Sequence, residues 1–155
     1  MATKKKSELV FKNKRVYFDY EVIDKIESGI VLCGTEVKSI RYSKISLNGS
    51  FCVFNDGELF IKGMDIATYK EGSYNNHEPK RDRKLLLHKK QLRRLQAAIE
   101  EKGMTVVPIK LYANEKGVFK LEIGLGKGRK KADKRSYIAE RDEKKNIKKE
   151  YNINI

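Results

Sequence analysis

Residues 51–66 read FCVFNDGELFIKGMDI, two apolar runs separated by Asp56-Gly57. A two-residue type I′ turn needs positive φ at both central positions, which Asp tolerates and Gly prefers, so the two runs have to pair as an antiparallel hairpin. A second hairpin follows from TVVPIKLYA (105–113), NEKG (114–117) and VFKLEIGLG (118–126). In the last of these, Phe119, Leu121, Ile123 and Leu125 alternate with Lys120 and Glu122, the period-2 pattern of a half-buried strand. Pro108 cannot donate to a ladder and predicts an edge position or a bulge.

Upstream, VYFDYEVIDKIESGIVL (16–32) is rich in aromatic and β-branched residues, and Phe18, Tyr20 and Val22 alternate with charged positions. A strand is favoured, with Ser28-Gly29 as a turn into a second strand, Ile30–Cys33. A helix over 19–27 competes, because Val22, Ile23 and Ile26 also fit one helical face. GTEVKSIR (34–41) predicts a short helix with Thr35 as N-cap and Glu36 in the first turn, where the helix dipole favours a carboxylate. YKEGSYNNHEPKRDR (69–83) reads as a loop. KLLLHKKQLRRLQAAIEEKG (84–103) reads as the clear helix region, with Leu92, Leu95 and Ile99 on one face and Gly103 as its stop.

These elements amount to a mainly β chain with helices. About six short strands in hairpins, one clear helix and a short second helix suggest a small closed or partly open β-barrel of the OB-fold (oligonucleotide/oligosaccharide-binding) type. At 155 residues the chain suits one such domain. Its expected limits are 13–126, preceded by a flexible basic N-terminus (1–12) and followed by a basic C-terminal tail (127–155). Sixteen of the 29 tail residues are charged, too many to bury a core, so the tail is expected to be disordered until it meets a partner. Cys33 and Cys52 lack metal-ligand spacing and read as reduced, buried, small apolar residues. No run approaches the ~18 apolar residues of a membrane span, and MATKKKSELV lacks the apolar stretch of a signal peptide, so a cytoplasmic protein is expected.

The formal net charge of +14 is unevenly spread. Residues 1–15 carry six Lys/Arg against one acid, residues 80–94 eight against one, and residues 127–155 eleven against five. The remainder is slightly acidic. Localised cationic clusters are what a polyphosphate partner requires, because neutralised phosphates release condensed counterions. Lipid fits less well, since no basic stretch carries a strong apolar helical face.

GLGKGRKK (124–131) is not a phosphate loop: GxxxxGK[ST] is absent. It reads as a flexible basic hinge in which Lys127, Arg129, Lys130 and Lys131 supply charge. Neither His77 nor His88 is tied to a nucleophile motif. His77 suits stacking or hydrogen bonding, and His88 the start of a helix. In KRDRKLLLHKK (80–90) three leucines sit between basic clusters, so Arg81, Arg83 and Lys84 are candidate phosphate contacts beside a leucine that packs on a base or ribose. No carboxylate cluster or nucleophile–base pair points to an enzyme, and no cofactor is implied.

Several segments together resemble the family of small protein B, the tmRNA-binding (SsrA-binding) proteins of bacterial trans-translation. They are NKRVYFDY (13–20), ESGIVLCGTEVKSIR (27–41), GSFCVFNDGELF (49–60), RDRKLLLHKKQL (81–92), GMTVVPIKLY (103–112), and GKG with DKR within 126–135. The resemblance implies an oligonucleotide-binding-type barrel that binds the tRNA-like domain of tmRNA and brings it to stalled ribosomes with elongation factor Tu. It places RNA contacts at Asn13, Glu27 and Leu86, with Lys14, Arg15, Lys38, Arg41, Arg83 and Lys84 as neighbouring phosphate contacts. Glu27 is expected to face RNA, where a carboxylate accepts from base amino groups or a 2′-hydroxyl. Glu36 is expected to orient Lys38 or Arg41, or to cap its helix. The family's tail lies in the decoding centre and mRNA channel, which assigns Asp133, Lys134, Arg135, Ile138 and Arg141 to the ribosome. Ala132 departs from the aromatic residue or histidine common before DKR. The free protein is expected to be a monomer.

Overall fold

The computed structural model describes residues 9–153, including side chains except at 73–74 and 146–153. In chain order the elements are β1 (Val10–Lys12), α1 (Val16–Asp19), β2 (Tyr20–Ile30), α2 (Gly34–Arg41), β3 (Ile45–Ser46), β4 (Phe51–Asn55), β5 (Glu58–Lys62) and β6 (Asp65–Ile66). A 3₁₀ turn (Lys70–Asn75), β7 (Arg83–Leu86), α3 (Lys89–Lys102), β8 (Thr105–Ala113), β9 (Phe119–Gly128) and α4 (Lys131–Ile153) follow.

Seven strands form one antiparallel sheet in the order β1-β8-β9-β2-β7-β5-β4, and β3 pairs with β6 in a small second sheet. The turn at Asp56-Gly57 has positive φ at both residues, 51° and 76°, as the hairpin required. The β8–β9 hairpin also forms, closed by Asn114 N–H donating to the Val118 carbonyl with Gly117 at φ 78°. The sheet is not a closed barrel. Its edges are β1 and β4, and although β4 lies against β8, no ladder joins them. Leu59, Ile61, Leu85, Leu111, Leu121 and Ile123 fill the inner face, joined by Ile40 of α2 and Leu95 of α3. Each is essentially buried, worth about 1.5–3 kcal/mol by transfer.

Several local expectations change once strands find their neighbours. Val16–Asp19 is a short helix, and β2 runs unbroken through Ser28-Gly29 where a turn is expected. Ser28 is buried, and its hydroxyl donates to the Leu121 carbonyl at 2.9 Å, so β9 carries the chain straight through. Pro108 marks a register shift between β8 and β9, and β8 is internal, flanked by β1 and β9. α2 forms as expected, but its N-cap is Cys33, not Thr35, and Cys33 is exposed while Cys52 is buried.

The largest revision concerns RKLL. Arg83–Leu86 is strand β7, and helix α3 begins only at Lys89, after the N-cap His88. A strand alternates where a helix would not: Arg83 and Leu85 point inward, Lys84 and Leu86 outward. α3 then runs to Gly103, which takes the left-handed conformation (φ 63°) that ends it.

At the termini, residues 1–8 lie outside the described residues, and Val10–Lys12 belong to the sheet, not to a flexible arm. The expected hinge GLGKG is the end of β9, with Gly128 paired to Tyr20. A Cβ on Gly126 would lie 2.8 Å from the Glu21 carbonyl oxygen, and one on Gly124 2.8 Å from Ile109 and 2.9 Å from Val22. These glycines serve close strand packing. In the segment expected to be a tail, Lys131–Ile153 form helix α4, and residues 139–145 of it are exposed on every side, with no core of their own.

Candidate nucleic-acid interface

β2 and β7 are neighbours through Gly29↔Leu86 and Ile30↔Leu85. This register brings Glu27 and Leu86, 59 residues apart in sequence, onto one open hollow of about 360 Å³ whose wall also includes Lys120 and the start of α3. Gly29 allows the approach, since a Cβ there would meet the Leu86 Cβ at 3.1 Å. Leu86 is 51% exposed, an apolar side chain presented to solvent by a strand whose alternate residues are buried. Glu27 is exposed and accepts a hydrogen bond from the Tyr112 hydroxyl across the sheet. Burial and the Glu27 carboxylate push the Tyr112 hydroxyl well above its ordinary value, so Tyr112 stays a donor. The carboxylate is thereby oriented with acceptor capacity left for a ligand. Sequence reasoning missed Tyr112: the partners are 85 residues apart, and only the β2–β9–β8 order brings them together.

Glu36 is not on this surface. It is fully buried, with Arg83 equally buried beside it and Arg81 partly exposed at 2.5 Å. One carboxylate oxygen takes Arg81 and the Cys33 N–H at 2.8 Å, and the other takes Arg83. Arg83 spends its remaining donors on the carbonyls of Met64 (2.7 Å), Pro79 (3.0 Å) and Arg81 (3.1 Å). Burial alone would push the Glu36 carboxyl up, but the hydrogen bonds from Arg81 and Cys33 and the Arg83 charge outweigh it and hold it below the usual carboxylate range. Of the roles expected for Glu36, capping its helix holds, through the Cys33 N–H, whereas the cations it orients are Arg81 and Arg83 and not Lys38 or Arg41. As a phosphate contact, Arg83 gives way to an interior role because strand alternation turns it inward. Arg81 also donates to the Val31 carbonyl at 3.1 Å.

The remaining residues separate into distinct places. Asn13 turns its amide onto the Pro108 carbonyl at 3.0 Å, and its N–H bonds the Ile109 carbonyl at 2.8 Å, so it ties the end of β1 to the β8 bulge. Lys14 and Arg15 are exposed; Arg15 pairs loosely with Asp19 (3.8 Å) and lies 5.1 Å from the centre of the Phe18 ring. Lys38 is exposed and lies 5.4 Å from the centre of the Tyr69 ring, and Arg41 is half-buried at the end of α2. Lys84 pairs with Glu58 at 2.9 Å.

Arg129 reaches back, its Nε donating to the Tyr17 carbonyl at 3.0 Å with Tyr137 stacked at 4.6 Å. Lys134 joins Asp19 at 3.5 Å and the Phe18 ring, so α1 anchors the first turns of α4. Asp133 accepts from the Lys130 N–H at 3.3 Å. Lys127, Lys130, Lys131, Arg135 and Arg141 are exposed, and Ile138 is half-buried. His77 is buried, its Nε2 donating to the Ile66 carbonyl and its Nδ1 paired with the Thr35 hydroxyl, both at 2.8 Å. Among the described residues no three His, Cys, Asp or Glu side chains gather as a metal site. No helix there is long and apolar enough to cross a membrane.

The family model for SmpB protein matches residues 10–153. The SsrA-binding protein of Bacteroides thetaiotaomicron is 53% identical over 136 residues, 88% of this chain and 91% of its own length. That of Thermus thermophilus is 51% identical over 126 residues, covering 81% and 88%. Among solved structures, a chain described as "tmRNA-SmpB: a journey to the center of the bacterial ribosome" superposes with a TM-score of 0.66 at 47% identity, covering 84% of this chain and 94% of that one.

Proposed function

The chain belongs to the SmpB protein family, and from that premise we propose that it is a non-enzymatic RNA adaptor of trans-translation. It binds the tRNA-like domain of tmRNA and carries it to stalled ribosomes in the cytoplasm, with elongation factor Tu as part of the delivered complex. The open, curled sheet serves as the oligonucleotide-binding-type scaffold. The observation that carries the reading is the hollow shared by Glu27 and Leu86. An exposed leucine there packs on an unstacked base or ribose, and the carboxylate held by Tyr112 accepts from base amino groups or a 2′-hydroxyl. Phosphate contacts position the RNA and such polar contacts select it. Lys14, Arg15, Lys38, Arg41, Arg81, Lys84 and the basic end of β9 supply the phosphate contacts.

α4 is the ribosome-directed arm. A helix exposed on every side from residue 139 to 145 gains its stability from a partner, which suits an arm that takes its final form on the ribosome. The reading is tested by titrating the protein with the isolated tRNA-like domain while bulk tRNA competes at moderate salt. Retention of the tRNA-like domain against excess tRNA supports it. Equal displacement by tRNA leaves only a general RNA-binding protein of the same fold.

A further inference from the structure

A second hollow, also about 360 Å³, opens between the C-terminal end of α2 and the 3₁₀ turn at Lys70–Asn75. It shares no lining residue with the Glu27–Leu86 hollow. Its wall holds two aromatic rings, Tyr42 and Tyr69, stacked with centroids 6.4 Å apart and planes 27° from parallel. Tyr42 is 36% exposed, so one edge of this π surface stays open to solvent. Lys44 and Lys70 line the same hollow, Lys38 lies against the Tyr69 ring, and Glu71 is the acid beside them, which leaves the rim cationic.

Ser39 is the decisive residue. Its side chain is 1% exposed, lines the hollow, and its hydroxyl has no hydrogen-bond partner. Its carbonyl, by contrast, takes two bonds, from the N–H groups of Tyr42 and Lys44 at 3.1 Å each. A buried hydroxyl without a partner costs stability unless something enters to bond it, and a helical serine would ordinarily turn back onto its own helix. The wall around it is held firmly. Ser43 takes a left-handed conformation (φ 61°), which is uncommon for a residue other than glycine, and the Ala67 N–H ties Lys44 to the end of β6 at 3.0 Å. A preformed cleft with stacked aromatics, a cationic rim and one unsatisfied hydroxyl matches a nucleotide whose base stacks, whose edge or ribose bonds a hydroxyl and whose phosphate meets lysine.

We propose that this hollow is a stacking site for one unpaired nucleotide of an RNA strand, formed by Tyr42, Tyr69 and Ser39 with Lys38, Lys44 and Lys70 at its rim. It rests on the RNA-binding reading and adds a site that takes single-stranded RNA independently of the Glu27–Leu86 surface. On binding, Lys38 leaves the Tyr69 ring for a phosphate.

The test titrates the full chain with single-stranded hexaadenylate carrying 2-aminopurine, whose fluorescence is quenched on stacking. The same proteins are assayed in parallel against the tRNA-like domain with tRNA as competitor. Tyr42→Ala is expected to weaken hexamer binding about tenfold, the scale of one base–aromatic stack, and to abolish the quenching. Tyr42→Phe keeps both, and Ser39→Ala loses a few-fold while remaining folded by circular dichroism. Discrimination between the tRNA-like domain and tRNA stays unchanged in Tyr42→Ala and falls in Leu86→Ala, which spares the quenching. Unchanged binding and quenching in Tyr42→Ala overturn the proposal. So does a Leu86→Ala loss of hexamer binding as large as that of Tyr42→Ala, or displacement of the hexamer by equimolar AMP. Because the parallel arm reads selection of the tRNA-like domain separately, the adaptor reading stands or falls on its own result.

Discussion

The carboxylate of Glu36 accepts a hydrogen bond from the guanidinium of Arg83, and neither side chain reaches water. The two residues are 47 positions apart and belong to α2 and β7, so the pair joins the helix to the sheet. Every donor on Arg83 is directed at the carboxylate or at a carbonyl of the segment leading into β7 or out of β5, which fixes how that loop lies on the core.

Removing one partner strands the other charge in the interior, which costs about 3–5 kcal/mol. Glu36→Ala is therefore expected to lower unfolding free energy by about that amount in urea at pH 7. Arg83→Lys is expected to be almost as damaging, because an ammonium cannot reproduce the planar fork. RNA affinity of the fraction that remains folded should change little. A Glu36→Ala protein with wild-type stability and weakened RNA binding would place Glu36 on the surface after all.

The lowered Glu36 carboxyl carries a pH dependence of known sign. Its contribution is fully present above the unfolded-state value, about 4.3–4.5, and is lost as pH falls through the lower folded-state value. Urea midpoints measured from pH 6 down to pH 3 should fall steeply below about pH 4.5 in the wild type. In Glu36→Gln the fall should be shallower, starting from a lower midpoint. Parallel curves for the two proteins would refute the assignment.

At the RNA surface, Glu27→Ala is expected to reduce discrimination between the tRNA-like domain and ordinary tRNA by about tenfold, the worth of one hydrogen bond to a charged group. Tyr112→Phe leaves the carboxylate in place but removes its orienting donor, so its effect should have the same direction and be a few-fold smaller. Competition binding measures both. Equal weakening toward all RNAs would show that Glu27 does not select.

Chain cleavage after Lys130 is expected to leave binding of the tRNA-like domain intact and to abolish ribosome rescue in a stalled-translation assay. Cleavage after Gly126 is expected to fail in both, because Lys127 and Gly128 pair with β2 and Arg129 holds the Tyr17 carbonyl. If the shorter cut binds RNA as well as the longer one, the last residues of β9 contribute nothing to the domain.

Gly126→Ala tests packing against hinge flexibility. Its Cβ would press on backbone at 2.8 Å, so the substitution should cost about 1–3 kcal/mol in thermal or urea unfolding. A hinge glycine would tolerate the change.

Much of this architecture was legible where the governing chemistry is local. The Asp56-Gly57 turn, the left-handed stop at Gly103 and the alternation of Phe119, Leu121, Ile123 and Leu125 are each specified within a few residues of chain. KLLL was not legible: three consecutive leucines satisfy either period, and the helical rhythm of Leu92–Ile99 just downstream drew them into the wrong element. The two readings put opposite side chains inside, and for that reason Arg83 reads as a surface cation from the sequence and is an interior one in the fold.

Which segments turn, which alternate and where the positive charge is concentrated were written into the order of residues, because turn geometry, side-chain period and net charge depend on near neighbours. That Glu36 meets Arg83, that Glu27 is held by Tyr112 beside Leu86, and that Gly124 and Gly126 are packing residues emerged only when the chain folded back on itself. Each of those outcomes depends on strand order and register across 47 to more than 100 residues of chain, and register is set by burying the whole inner face at once.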